Sequence, residues 1–342
     1  MYTEEIAGWF TEGEAPLREA VAFWIDEPGV GALRRESIAR AGDGEVLVRT
    51  RYTGISRGTE ASVFLGRVPA GEQERMRAPF QEGDFPGPVK YGYLNVGVVE
   101  HGPDALRGRT VFTLFPHQSA FIVPADAVVP VPSGVPARRA VLAGAVETAV
   151  NVLWDAAPLL GDRVAIVGAG MIGCCVARLA RGIPGLDVVL VDVDPSRRAV
   201  ADRLGVGFAA PGDAPGERDL VVNTSGSEAG LRLALESVVT DGDVIEASWY
   251  GDRPVTLPLG ADFHSRRLTI RSSQVGAVAR RRRGTRSTRD RLALALELLH
   301  DDAFDALLTG DSPWSELPAV MAALAAEPDA ELCRTIDWTD AS

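Results

Sequence analysis

A glycine pattern at the junction of an apolar run and a following helix limits the folds that this chain can adopt. Residues 162–173 read DRVAIVGAGMIG. Gly168 permits a tight turn, Gly170 lets the backbone approach a pyrophosphate, and Gly173 lets the helix lie close to the strand. The pattern predicts a dinucleotide-binding strand–turn–helix unit and makes a redox enzyme the leading hypothesis.

The helix that begins after these glycines also suits a phosphate. Its first turn, with Met171 and Ile172, presents unpaired N–H groups and the positive end of the helix dipole. An anion therefore needs no lysine here, and we expect the backbone of these two residues to contact the cofactor.

An acidic residue after the next apolar run bears on the choice of cofactor. Residues 188–191 are all Val or Leu, and Asp192 follows them. Such a carboxylate accepts hydrogen bonds from the adenosine ribose and repels the 2'-phosphate of NADP, which favours NAD(H). Arg197 and Arg198 lie just beyond and would tolerate a phosphate, so NADP(H) remains the alternative. The alternative interpretation is structural: Asp192 is then a carboxylate at the end of a strand or a helix cap.

Length and composition set the class of protein. A chain of 342 residues, 46% of them hydrophobic, suits two domains.

The N-terminus carries Glu4 and Glu5 instead of a basic region, and no apolar run is long enough to span a bilayer, so we expect neither secretion nor membrane insertion. Three cysteines give no disulfide framework, which fits the cytoplasm. The net charge of -12 argues against nucleic acid as a partner.

The spacing of apolar residues changes along the chain. Before about residue 136, short alternating runs are broken by Gly and Pro, which predicts a compact β-rich domain. A helix is then predicted over 138–154, and strands alternate with helices up to about residue 275. The predicted strands are 164–167, 188–191, 220–223, 244–247 and 268–270. The predicted helices are one after Gly170, 195–204 and 228–239.

This alternation predicts an α/β fold with one doubly wound parallel sheet that binds its ligand at the carboxyl ends of the strands. We place the β-rich catalytic domain in residues 1–148 and the dinucleotide-binding domain in 149–276. Residues 277–342, with helices at 290–299 and 318–326, are expected to return to the catalytic domain. A cleft is then expected between the domains.

Four further stretches match motifs of one known group of enzymes. They are GISRGTE at 54–60, GYLNVG at 92–97, AVET at 145–148 and NTSG at 223–226. With the glycine pattern, they resemble the medium-chain dehydrogenase/reductase superfamily of alcohol-dehydrogenase-like enzymes over nearly the whole chain. The resemblance implies a Rossmann sheet plus a GroES-like β-rich catalytic domain, with an active site in the cleft.

The resemblance also implies further cofactor contacts. Arg57 stands where some members carry a basic residue that contacts the pyrophosphate, although a surface ion pair is the other interpretation. Thr224, Ser225 and Gly226 are implied to lie beside the nicotinamide ribose.

The departures from the superfamily concern zinc. Zinc-dependent members have Cys where this chain has Ser56, and a His-Glu pair where it has Tyr93 and Leu94. An open zinc site needs three N, S or carboxylate ligands, and only Glu147 survives as one. The four cysteines of the structural zinc lobe are also missing. We therefore expect no zinc.

Within the superfamily, the chain resembles a zinc-lacking branch. The GISRGTE loop and the missing cysteine lobe are similar to bacteriochlorophyllide dehydrogenases. A nearer resemblance is to actinobacterial zinc-binding-dehydrogenase-like proteins encoded near 6-pyruvoyl-tetrahydropterin synthase homologues. The resemblance implies a small-molecule substrate, anionic or pterin-related.

Without zinc, hydrogen-bond donors must supply the proton and hold the developing oxyanion. The resemblance brings Ser56 and Tyr93 together, with Lys90 near in sequence and His117 at the shortened loop. A tyrosine whose pKa is lowered by a lysine is an effective acid or base. Each of these residues also has a structural interpretation, as a turn residue, a packed aromatic ring, a surface charge or a loop histidine. For Glu147 three interpretations are open: it acts as a base, it binds a substrate hydroxyl, or it caps its helix.

The leading functional hypothesis is NAD(P)(H)-dependent interconversion of a secondary alcohol and a ketone. One rival is an epimerase or lyase that keeps its NAD bound and regenerates it in each cycle. A second rival is a non-catalytic nucleotide sensor. By analogy with relatives, a homodimer would form at the sheet edge near residues 268–271.

One stretch runs against the acidic character of the chain. Residues 280–283 are all Arg, and Arg286, Arg289 and Arg291 extend the run. It would line an approach for an anionic substrate, or form a solvated loop before the helix at 290–299.

Overall fold

The computed structural model describes residues 18–327 and 331–341, and short strands dominate the first part of this range. Gly and Pro interrupt the apolar runs here, which keeps most strands short. The strands are β1 (Arg18–Glu27), β2 (Val30–Ile38), β3 (Glu45–Ile55), β4 (Glu82–Gly83), β5 (Val89–Lys90), β6 (Asn95–His101), β7 (Thr110–Thr113), β8 (Ala120–Pro124) and β9 (Val129–Pro130). A short helix, α1 (Arg57–Phe64), follows β3.

Helices and strands alternate in the middle of the chain. The elements are α2 (Ala137–Ala140), α3 (Ala143–Ala156), β10 (Arg163–Val167), α4 (Met171–Arg181), β11 (Asp187–Val191), α5 (Arg197–Leu204), β12 (Gly207–Ala209), β13 (Arg218–Asn223), α6 (Glu228–Ser237), β14 (Val238–Glu246) and β15 (Thr269–Ser272). The strands pair in parallel in the order β12-β11-β10-β13-β14-β15. The predicted doubly wound parallel sheet is therefore confirmed.

The two faces of this sheet are both buried. Side chains alternate across a strand, so Val164 and Ile166 enter one apolar cluster while Ala165 and Val167 enter another. The first cluster contains residues of α3 and α4, and the second contains residues of α6. Burial on both faces explains why these strands read as continuous apolar runs.

The end of the chain returns to the first part. Its elements are α7 (Thr288–Leu298), β16 (Leu308–Pro313), α8 (Leu317–Ala326) and β17 (Cys333–Asp337). β17 pairs antiparallel with β3 in a sheet of order β16-β17-β3-β6-β7-β9, and β8 also pairs with β3. A smaller sheet has the order β2-β1-β5-β4. The domain boundaries after residues 148 and 276 remain predictions.

Several elements differ from the sequence-based expectations. The helix over 138–154 is two helices, because the backbone at Leu142 (φ -74, ψ -3) leaves the regular α conformation. The helix over 228–239 ends at Ser237, where the β-branched pair Val238 and Val239 begins β14. The hairpin of β1 and β2 was not predicted.

Within the described residues, none of the helices has both the length and the apolar character needed to cross a bilayer. Glu4 and Glu5, on which the expectation against a leader rests, lie outside the described residues.

Candidate active site

The three glycines after β10 form a close turn against the end of β13. Gly168 has a φ of +102°, which favours glycine, and a Cβ there would lie 2.7 Å from the amide nitrogen of Ser225. At Gly173 a Cβ would lie 1.9 Å from the Gly168 carbonyl oxygen. At Gly170, which caps α4, a Cβ would meet no atom of the described residues within 4 Å. The turn is thus closed towards the protein and open at Gly170, where a pyrophosphate would approach.

Residues at the end of β13 hold this turn in place. The Thr224 hydroxyl donates to the Gly168 carbonyl at 2.8 Å, and the Thr224 amide donates to the Val167 carbonyl at 2.8 Å. The Ser225 hydroxyl donates to Asn223 at 2.8 Å, and the amide of Gly226 donates to the Ser248 hydroxyl at 3.0 Å. Residues 223–226 therefore lie at the carboxyl ends of the parallel strands.

Asp192 joins the end of β11 to the glycine turn. One carboxylate oxygen accepts a hydrogen bond from the Ala169 amide at 2.6 Å, and the other accepts from the Asp194 amide at 2.8 Å. A carboxylate has about four lone-pair positions, so acceptor capacity remains for a ribose hydroxyl. The first residues of α4, Met171 and Ile172, follow the same turn.

The arginines proposed as cofactor contacts differ in environment. Arg57 is the first residue of α1 and is half-buried. Arg197 is buried and pairs with Asp194 at 3.2 Å. Arg198 is exposed, and its guanidinium lies 4.8 Å from the centre of the Phe208 ring. Their contact with a cofactor remains a prediction.

Ser56 and Tyr93 come together, as the resemblance implies. Ser56 lies between β3 and α1. The side chains of Ser56 and Thr59 lie near the Tyr93 hydroxyl, and both act to lower its pKa. Burial is the main cause that raises the pKa of Tyr93 to about 12, and the negative charge of Glu60 is the second. The expected lowering of this pKa is therefore wrong, and Tyr93 is protonated in neutral solution.

The lysine assumed to act on Tyr93 is occupied elsewhere. Lys90 is only 1% exposed, and its ammonium contacts Glu36 at 2.8 Å, Glu82 at 2.5 Å and Gln118 at 2.7 Å. It also lies 5.6 Å from the centre of the Trp24 ring. Lys90, the only lysine in this sequence, is therefore a buried structural cation rather than a surface charge or a partner of Tyr93.

His117 belongs to a buried polar cluster that includes a residue given no role from the sequence. Its Nε2 lies 2.8 Å from Glu60 Oε2, and its Nδ1 lies 2.7 Å from the Thr53 hydroxyl. The other oxygen of Glu60 accepts from the Ser56 amide at 2.7 Å. Glu60 lies within the GISRGTE motif, and its position four residues after Ser56, at a helix start, resembles a capping arrangement that would have drawn attention to it.

Glu147 is part of a second buried cluster. Its carboxylate accepts from Arg291 Nε at 3.0 Å, and Arg291 also donates to Asn151 at 2.6 Å and to the Val275 carbonyl at 2.5 Å. Burial raises the pKa of Glu147, and the charge of Arg291 opposes this rise. The carboxylate is thus held in an ion pair, which favours a structural role over those of base, substrate ligand or helix cap.

The arginine run divides into exposed and buried members. Residues 280–283, Arg286 and Arg289 are exposed, and Arg282 lies 5.8 Å from the centre of the Trp154 ring. Arg291 is 1% exposed. Grouping Arg291 with the exposed run was therefore wrong, because it faces Glu147 inside the protein.

The side chains that could coordinate a metal ion are not grouped into a metal site. In residues 18–327 and 331–341, no three side chains of His, Cys, Asp or Glu form a group that could hold a metal ion. Cys174, Cys175 and Cys333 are buried and belong to one apolar cluster. Within these ranges the side chains therefore do not provide the three-ligand group that a catalytic zinc needs.

The sequence of this chain is similar to part of the sequences of known dehydrogenases. No protein-family model matches the chain. A stretch of 119 residues is 34% identical to L-threonine 3-dehydrogenase from Mesorhizobium japonicum and covers 33% of each chain. The chain thus spans about a third of the length of that relative.

Solved structures match almost the whole chain. L-idonate 5-dehydrogenase from Escherichia coli K-12 has a TM-score of 0.78 at 16% identity, over 95% of this chain and 99% of that one. The two chains therefore share one fold. A short chain alcohol dehydrogenase from Escherichia coli CFT073, solved with its cofactor NADH, has a TM-score of 0.75 at 15% identity, over 93% of this chain and 99% of that one. The predicted Rossmann plus GroES-like architecture is confirmed.

Proposed function

We propose that this protein is an NAD(P)(H)-dependent oxidoreductase that interconverts a secondary alcohol and a ketone. The observation that carries the proposal is the glycine turn, closed onto Thr224 and Ser225 and open at Gly170. The hydroxyls of Ser56 and Tyr93 supply the hydrogen-bond donors that such a reaction needs. The similarity to L-threonine 3-dehydrogenase and L-idonate 5-dehydrogenase also supports it.

The cofactor supplies or accepts the hydride when bound, and the protein has to manage one proton and one oxygen. Tyr93, with a pKa raised to about 12, holds its proton and donates it to the substrate oxygen. Ser56 holds that oxygen and the Tyr93 hydroxyl in one geometry. We propose that no zinc takes part, because the donor set does not fit one.

Turnover is tested with a panel of L-threonine, L-idonate and butane-2,3-diol with NAD⁺ or NADP⁺, and with butane-2,3-dione and NADH for the reverse reaction. Tyr93→Phe is expected to lower the hydride-transfer rate roughly a hundredfold, since it removes the proton donor. Ser56→Ala is expected to cost about tenfold, since it removes one hydrogen bond in the transition state. NADH binding, followed by fluorescence, should stay within about twofold of the wild type in both. Wild-type turnover in both variants would contradict the assignment.

We propose that NAD(H) is the preferred cofactor because of the Asp192 charge. Asp192→Asn keeps an acceptor for the Ala169 amide and removes the charge. It is expected to raise NADPH affinity about tenfold with little change for NADH, a difference of about 1.4 kcal/mol. Titration of both nucleotides by fluorescence measures this, and Asp192→Ala shows the added cost of losing the acceptor. Tighter NADPH than NADH binding by the wild type would refute the preference.

A homodimer through the edge strand β15, a cytoplasmic location, and an anionic or pterin-related substrate remain proposals. The exposed strand at the sheet edge supports the first, since unpaired backbone groups there favour pairing with a second chain.

A further inference from the structure

A hydrogen-bonded group of four side chains joins the ends of β13 and β14. Its members are Asn223, Glu246, Ser248 and Tyr250. Asn223 is buried, and the other three are half-buried. Asn223 Nδ2 donates to Glu246 Oε2 at 2.7 Å and to the Tyr250 hydroxyl oxygen at 3.0 Å. The Tyr250 hydroxyl in turn donates to Glu246 Oε2 at 2.9 Å. The group has no part in the proton transfer proposed above.

Two backbone amides fix which atoms of this group donate and which accept. The Ser225 amide donates to Asn223 Oδ1 at 3.2 Å, so this atom is the side-chain oxygen and the nitrogen faces Glu246. The Ser248 amide donates to Glu246 Oε1 at 2.7 Å. Glu246 therefore accepts hydrogen bonds at both carboxylate oxygens, and the donor and the acceptor of Asn223 are both satisfied.

The order of the strands places this group under one half of a bound dinucleotide. Asp192, proposed to bind the adenosine ribose, follows β11, and the glycine turn, proposed to bind the pyrophosphate, follows β10. β13 and β14 lie on the other side of β10 from β11. A dinucleotide crosses the carboxyl ends of the strands in such a sheet. When the cofactor binds in this way, its nicotinamide half extends over the ends of β13 and β14.

Glu246 holds the segment that faces this half of the cofactor. Asn223 Oδ1 also accepts from the Ser225 hydroxyl at 2.8 Å. The Ser248 hydroxyl accepts from the Gly226 amide at 3.0 Å. Because Asn223 and Ser248 are each bonded to Glu246, this one carboxylate fixes residues 225 and 226 from two directions.

The same carboxylate fixes the loop that reaches the β-rich part of the chain. Ser248 and Tyr250, both bonded to Glu246, flank Trp249. Trp249 packs against an apolar cluster with side chains of β1, β3 and α1, and Tyr93 packs against the same cluster. The segment under the nicotinamide half and a neighbour of the cluster that supports the proposed proton donor are thus held by one residue.

We infer that Glu246 is a positioning residue for the nicotinamide half of the cofactor. The inference rests on the proposed function. Glu246 acts through Asn223 and Ser248, which hold residues 224–226 in place. A shift of this segment displaces the nicotinamide ring from the reacting carbon, so it affects both the affinity and the rate of hydride transfer. The adenosine half, held by Asp192 on the other side of β10, does not depend on Glu246.

The test exchanges donor and acceptor between Glu246 and Asn223. In Glu246→Gln, the new amide nitrogen faces a donor in either orientation, either Asn223 Nδ2 or the Ser248 amide. NADH affinity is expected to fall about tenfold, because a donor loses its acceptor. In the double variant Glu246→Gln with Asn223→Asp, the Gln nitrogen donates to the Asp carboxylate, which still accepts from the Ser225 amide. The total charge is that of the wild type, and NADH affinity should return to within about threefold of it.

A second ligand separates positioning from a general loss of structure. ADP lacks the nicotinamide and its ribose, so its affinity should stay within about twofold of the wild type in both variants. Isothermal titration calorimetry measures both ligands. Glu236→Gln, the same change at an exposed position of α6, is the matched control and should alter neither affinity. Equal losses for NADH and ADP in Glu246→Gln, or no recovery in the double variant, would overturn the inference.

Hydride transfer gives a readout that a loss of affinity alone does not change. Single-turnover reduction of butane-2,3-dione at saturating NADH should be about tenfold slower in Glu246→Gln and should recover in the double variant. Unchanged NADH affinity and rate in Glu246→Gln would overturn the inference alone. Binding of NADH without turnover of any panel substrate would count against the proposed function, while the NADH and ADP affinities would still decide the role of Glu246.

Discussion

Replacing Arg291 with Met is expected to lower the free energy of unfolding by about 4 kcal/mol, because it leaves the Glu147 carboxylate buried without its partner. Arg291 is 1% exposed and Glu147 is 4% exposed, so water does not replace the lost contact. The guanidinium also joins α7 to Asn151 on α3 and to the backbone at Val275. Urea unfolding, followed by circular dichroism, measures the loss.

Two controls isolate the buried charge. The exposed Arg286, in the loop before the same helix, should be replaceable by Met within about 0.5 kcal/mol. The double variant with Glu147→Met and Arg291→Met should recover part of the loss, since no charge is then left unpaired. If Arg291→Met alone unfolds at the wild-type urea concentration, the pair does not have the energetic role that its burial implies.

Gly173→Ala is expected to abolish nucleotide binding, with a loss of at least about a hundredfold in NADH affinity. The new Cβ would overlap the Gly168 carbonyl oxygen at 1.9 Å and crowd the Thr224 hydroxyl at 2.6 Å, so helix and turn must move apart. This overpacking is also expected to lower the free energy of unfolding by about 2 kcal/mol. NADH titration and thermal unfolding measure the two effects.

Gly170→Ala separates folding from binding at the same turn. A Cβ at Gly170 would meet no atom within 4 Å in the part of the chain that the structure describes. The melting temperature should therefore be unchanged, while the methyl group occupies the approach of the pyrophosphate. Gly212→Ala, where a Cβ likewise meets none of the described atoms within 4 Å, lies outside the turn and should alter neither property. Normal NADH binding by both Gly170→Ala and Gly173→Ala would rule out the turn as the nucleotide site.

Features encoded within a few neighbouring residues were predictable from the sequence. The turn at Gly168 and Gly173 depends on local backbone geometry, and the parallel sheet follows from apolar runs that are buried on both faces. A short strand such as β12, or a helix break at Leu142, depends on contacts that local propensity does not encode.

The environments of charged side chains were not predictable, because their partners are distant in sequence. Lys90 is close to Tyr93 along the chain, yet it pairs with Glu36 across the smaller sheet. Arg291 reads as one member of a basic run, yet it pairs with Glu147 more than a hundred residues earlier. The burial that raises the pKa of Tyr93 likewise depends on the assembled site.

Because Lys90 is buried, proteolytic cleavage after this residue reports local opening of the structure around it. An endoprotease that cuts only after lysine has one target bond in this sequence, between Lys90 and Tyr91. Lys90 is 1% and Tyr91 is 4% exposed, and β5 is paired on both sides, so the bond is inaccessible in the folded state. Cleavage under native conditions therefore counts how often this small sheet comes apart, and each event yields two fragments that a gel resolves without any label.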